Sequence, residues 1–176
     1  MAVGNLEFIN SFTSGSVTSF SIDNIFSDKY DVYYITGNTG NTDFGNDGIG
    51  LRLLDNTGTV ISSTEYDLAR LNVYANISFA ETRSTSSTYF MTALMYMKDN
   101  PSAIGAGFSM YIFNPYNSSS YTFLTLQNVG FDGGAGDGMF GTKSIGVHKV
   151  AETIRGINLS SGETMNAVEV SVYGVK

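Results

Sequence analysis

His148 is the one histidine of the 176-residue chain, and cysteine is absent. Any Ser-His-Asp chemistry must therefore take His148 as its base. It lies in IGVHKV, residues 145–150, where extended backbone turns Ile145 and Val147 one way and His148 the other, beside Lys149. No G-x-S-x-G elbow supplies a nucleophile for it. His148 is read as a structural histidine, solvated or hydrogen-bonded. The lack of cysteine excludes a disulfide framework, a thiolate catalyst and a cysteine-based metal site.

Two acidic glycine loops invite a calcium reading, DFGNDG at residues 43–48 and FDGGAGDG at residues 131–138. Hard oxygen ligands on a permissive backbone are what Ca²⁺ requires. The EF-hand spacing fails, because Gly45 takes the third ligand position and no Glu closes the loop. Asp137 falls one place short of the G-G-x-G-x-D repeat. Turn-forming Asp and Gly account for both loops. Asp132 and Asp137 as a glycosidase pair would lack the rigid frame that such chemistry demands. No metal, cofactor or catalytic residue is expected.

Aromatic side chains offer a different chemistry. Tyr116, Tyr121 and Phe131 fall near loop ends and are the candidate contact residues, for a sugar ring or for a protein surface. Sugar-binding β-sandwiches most often use Trp for this stacking, and the chain has none. Interface or core packing is the better reading. Met91, Met95, Met97 and Met110 form a methionine-rich stretch suited to a subunit contact or to core filling.

The elements that must position these residues are strands. Residues 168–173 put Val168, Val170 and Val172 on one face and Glu169, Ser171 and Tyr173 on the other, the alternation of a half-buried strand. Ile157 and Leu159 mark a shorter strand before it, and residues 160–163 read as the turn of a hairpin joining the two. Residues 5–22 hold two strands around Ser14-Gly15-Ser16. Residues 26–36 set Tyr30, Val32 and Tyr34 against Asp31, Tyr33 and Ile35. Leu51, Leu53 and Leu54, then Asp55-Asn56-Thr57-Gly58, then Val60 and Ile61 spell a β-hairpin. Leu71 and Val73 alternate with Asn72 and Tyr74, residues 81–88 read as a polar loop, and residues 89–97 are apolar on both faces. Phe108, Met110 and Ile112, then Leu124 and Leu126, complete the inward set. No segment keeps a helical period, and ten to twelve short strands with regular turn signals predict an all-β, antiparallel β-sandwich of jelly-roll type, one domain over residues 1–176.

Composition narrows the partners. Sixteen acidic residues against nine basic ones give a net charge of -7, which repels nucleic acid phosphates and anionic lipid. No apolar run approaches the ~18 residues of a membrane span, and Lys29 is the first basic residue, so neither membrane insertion nor export is expected. Charged residues make up only 14%, which suits hydroxyl-rich β faces rather than a helical enzyme surface.

Several segments together resemble a known group. FSDKYDVYYI at residues 26–35, LRLLD at 51–55, YIFNPY at 111–116, IRGINL at 154–159 and the closing VEVSVYGVK resemble small virion proteins of tailed bacteriophages. The resemblance is to phages of marine bacteria in particular, such as cyanophages, whose jelly-roll domains often end in a strand finishing YGVK or YGIK. It implies a non-enzymatic virion part made in the host cytoplasm: a capsid decoration or cement protein, a head fibre or knob, or a tail-associated adhesin. The implied partners are other virion proteins and further copies of the chain, as a homotrimer or at a symmetric lattice position. A host surface glycan is the partner under the alternative reading, a tail adhesin or free carbohydrate-binding module.

Overall fold

The computed structural model describes residues 5–39, 48–75, 79–90, 106–132, 138–165 and 167–176. Residues 43–47 of the loop at 43–48, residues 133–137 of the loop at 131–138, Asp137 among them, and the stretch 91–97 lie outside these, as do the side chains of Phe131 and Asp132.

Eleven strands are described: β1 (Leu6–Thr13), β2 (Val17–Ile22), β3 (Val32–Thr39), β4 (Gly50–Leu54), β5 (Tyr66–Tyr74), β6 (Ala80–Ser87), β7 (Ala106–Phe113), β8 (Thr122–Asp132), β9 (Gly138–His148), β10 (Gly156–Met165) and β11 (Val168–Val175). They form an eight-stranded antiparallel sheet, β1-β11-β3-β7-β8-β9-β5-β6, and a three-stranded one, β2-β10-β4. The fold is an antiparallel β-sandwich, and its two chain ends wrap together in the manner of a jelly roll. β1 pairs with β11 in the large sheet, while β2 pairs with β10 in the small one. The two crossings are laced together where they leave the large sheet. Ser14 N–H donates to the Val168 carbonyl at 2.9 Å, and Val168 N–H donates to Ser14 Oγ at 3.0 Å.

That crossing overturns the expected C-terminal hairpin. β10 does not turn at residues 160–163 but runs on to Met165, which pairs with Val17. The chain changes sheet at Ala167, whose φ of 49° is unusual for a residue with a β-carbon. Pairing with β1 and β3 on its two sides satisfies β11 fully, so β10 has no place beside it.

The alternation of β11 is as expected, with Val168, Val170 and Val172 at 1% exposure or less. They pack with Tyr33 and Ile35 of β3, Phe108, Met110 and Ile112 of β7, Leu124 and Leu126 of β8, and Leu51, Leu53, Ile157 and Leu159 of the small sheet. Burying each such side chain contributes about 1.5–3 kcal/mol. The hairpin after β4 is also present. Asp55 Oδ1 accepts from Thr57 and Thr59 N–H, Gly58 takes the left-handed φ of 84°, and Ile61 N–H returns to the Leu53 carbonyl.

Three further expectations are corrected. Residues 81–88 are no loop: β6 is an edge strand of polar residues, paired with β5. Polar side chains hide a strand from a hydrophobic pattern but suit an unprotected sheet edge. β8 and β9 extend to Asp132 and back to Gly138, which narrows the glycine loop. On β5 the faces are reversed, because Asn72 is buried while Leu71 and Val73 are 42% and 38% exposed. The inner face there is polar: Asn72 pairs with Thr142, and Thr142 with Asn128, to which its hydroxyl donates.

Candidate interaction face

Reversal on β5 leaves apolar side chains on the outside of the large sheet, and register shows how they line up. One row crosses all eight strands: Phe8, Tyr173, Tyr34, Tyr111, Thr125, Ile145, Ala69 and Arg83. Its aromatic half is continuous. Ring centroids are 5.7 Å apart for Phe8–Tyr173, 6.3 Å for Tyr173–Tyr34 and 4.8 Å for Tyr34–Tyr111, and Tyr111 lies 6.3 Å from Phe113 one row away. These neighbours hold one another's rotamers, so the stripe is ordered before it meets anything.

Beyond Tyr111 the row itself carries no further rings and passes to Thr125 and Ile145. Phe123, Ile145, Val129 and Met139 are 45–59% exposed. A groove of about 720 Å³ lies here, lined by Phe113, Phe123, Ile145 and Val147, with Arg83 and Asp67 at its β5–β6 side. Val129 and Met139 lie apart from this groove, beyond the Gln127–Lys143 pair, and the apolar patch around the groove itself is of the kind that marks an interaction site. Beside the aromatic row runs a polar one, Ser11, Ser171, Thr36, Ser109, Gln127 and Lys143, in register across six strands.

Two of the three residues singled out from sequence are exposed. Tyr121 is 46% exposed and immediately precedes β8; strand alternation sets it on the side of Phe123, opposite the buried Thr122. Tyr116 is 41% exposed in the turn between β7 and β8. Phe131 pairs through its backbone with Met139 at the far end of β8, so the three are not gathered into one site. Tyr34, Tyr111, Tyr173, Phe123 and Ile145 carry the face instead. Their signal was present as strands apolar on both sides, which an ordinary half-wet sheet does not have.

His148 faces inward and is not solvated. It is fully buried at the end of β9, its ring lies 5.1 Å from that of Tyr66, and its Nε2 is 3.3 Å from Glu65 Oε2. Burial pushes the Tyr66 phenol well above its ordinary range. That hydroxyl accepts from Leu53 N–H at 3.2 Å and donates to the Ile61 carbonyl at 3.0 Å.

No protein-family model matches the chain, and no curated protein does. Among solved structures, exo-inulinase from Aspergillus awamori superposes with a TM-score of 0.39 at 11% identity, over 97% of this chain but 29% of that one. This chain thus spans under a third of that protein's length. Congerin II, solved with lactose and MES, gives 0.28 at 16% identity, over 81% and 99% of the two chains. The CBM2 module of the evolved Dit of Lactobacillus casei BL23 phage J-1 gives 0.26 at 12%, over 98% and 80%. At these scores the likenesses bear on no function.

Proposed function

We propose that the protein is a non-enzymatic structural component of a bacteriophage virion, a capsid decoration or head-fibre protein that works through protein–protein contacts made by the outer face of its large sheet. The observation that carries this reading is the row from Phe8 to Ile145, with the exposed Phe123 beside it. Aromatic and aliphatic groups on a rigid, antiparallel sheet suit a flat protein surface and offer no reacting group. The resemblance of the strand segments to phage virion proteins supplies the setting. Gold-labelled antibody on phage particles tests it: label on the particles is expected, and bare particles with the protein free in the lysate would overturn it.

A second reading, a tail-associated adhesin or carbohydrate-binding module, is favoured by one feature. The aromatic row Phe8–Tyr173–Tyr34–Tyr111 runs beside the hydroxyl row Ser11–Ser171–Thr36–Ser109. Together they offer stacking and hydrogen bonding along one line across the strands. Glycan-array binding lost on Tyr34→Ala and Tyr111→Ala would move the assignment to this reading.

A further inference from the structure

Glu65, His148 and Glu152 meet where the end of β9 passes the start of β5. Their nearest ligand atoms all lie within 4.8 Å of one another. His148 Nε2 is 3.3 Å from Glu65 Oε2 and 3.6 Å from Glu152 Oε1. One N and two O donors around a tetrahedral Zn²⁺ would stand about 3.3–3.6 Å apart, given bond lengths of roughly 2.0–2.2 Å.

The backbone fixes this meeting. Tyr66 and His148 are a registered pair, and Lys149 N–H donates to the Glu65 carbonyl at 2.9 Å. Glu152 is set by the segment after it. There Ile154 N–H donates to the Pro115 carbonyl at 2.7 Å and Arg155 N–H to the Leu54 carbonyl at 3.1 Å. The imidazole is wholly buried and braced by Tyr66, whose own ring meets Phe90 edge-on at 4.6 Å. The carboxylates are 36% and 32% exposed, so the side away from the ring is open to water or to an entering ion.

Charge balance points to a cation here. Two carboxylates face one imidazole, and the two cations of the same segment are engaged elsewhere. Lys149 Nζ sits 2.7 Å from Asp67 and 2.8 Å from the Thr85 carbonyl. Arg155 binds Asp23 at 2.7 Å, Asn24 at 2.6 Å and the Asn56 carbonyl at 3.2 Å.

We infer that Glu65, His148 and Glu152 form a binding site for a divalent transition metal of the Zn²⁺ type. Imidazole with two carboxylates suits such ions better than Ca²⁺ or Mg²⁺, which take oxygen alone. The ion closes a loop of more than eighty residues between Glu65 and His148 and ties both to the segment entering the small sheet. In a chain without cysteine it serves as the staple between sheets. His148 Nδ1 is buried without a partner, so the bound form lacks the hydrogen bond that usually backs a metal-ligating histidine. Its affinity is therefore expected to fall about 10–100-fold below that of a site whose histidine is so backed.

The test is titration of EDTA-dialysed, full-length protein with Zn²⁺ by calorimetry, beside thermal melts. One equivalent is expected to bind, and saturating Zn²⁺ raises the melting temperature by about 5–10 °C. Glu65→Gln and Glu152→Gln are each expected to weaken binding tenfold or more. Their metal-free melting points stay at or above that of the metal-free wild type, because a repulsion is relieved. Folded wild-type protein that gives no heat and no melting shift at millimolar Zn²⁺ overturns the site. Binding that survives both substitutions does so equally.

Discussion

The ring of Phe90 occupies the space that Gly146 leaves by having no side chain: a β-carbon on Gly146 would stand 2.6 Å from it. Phe90 exchanges backbone hydrogen bonds with Leu51 of β4, and Gly146 lies in β9 between Leu68 and Leu124. Their contact joins the two sheets two residues from His148. Gly146→Ala is therefore expected to destabilise the fold by about 1–3 kcal/mol through overpacking. Denaturant unfolding checks this, and an unchanged midpoint would show that the sheets are held apart from this contact.

Val170 is buried in a strand paired on both sides, so Val170→Asp places an unpaired carboxylate in the centre of the core. The expected outcome is unfolded or insoluble protein. A soluble variant with the wild-type melting temperature would mean that the core lies elsewhere.

Glu7 joins the chain's ends by charge. The Lys29 ammonium foremost, with Lys176 at 2.9 Å from the other carboxylate oxygen, holds its pKa down to about 2 from an ordinary 4.5. A depressed carboxylate stabilises the fold above its unfolded pKa, and that contribution fades as pH falls through the folded value. The stability difference between wild type and Glu7→Gln is expected to be constant above pH 4.5 and to vanish towards pH 2. Added salt should shrink it at every pH, because the pair is solvent-exposed. Paired urea titrations across this range decide the matter, and a difference undiminished at pH 2 would contradict it.

Phe123 and Ile145 are 45% and 59% exposed, so replacing them with Ser should change unfolding free energy by no more than about 0.5 kcal/mol each. Attachment to particles, or association of the purified protein by analytical ultracentrifugation, is expected to fall at least tenfold in the double variant. Undiminished attachment in a variant of unchanged stability would remove this face from the proposed function.

How much of this was legible in advance depended on the strand. In β11, β7 and β8 one face is apolar enough for alternation alone to pick out Val170, Met110 and Leu126 as core. In β5 and β9 both faces carry apolar residues, and a period of two does not say which face is inside. Ile145 and Leu71 went out, while His148 and Asn72 went in. β6 was invisible because an exposed edge strand needs no apolar side chain.

The chain's local chemistry by itself determined the all-β class, the turn at Asp55–Gly58 and the absence of any thiol chemistry, because these depend on neighbours a few residues apart. Tertiary structure decided the sheet each strand joins, the side of β5 and β9 that is dry, and the meeting of His148 with a glutamate 83 residues away. The physical reason is that backbone pairing is non-local. β10 could fill its hydrogen bonds beside β11 or beside β2 and β4, and only the packing of all eleven strands distinguishes the two.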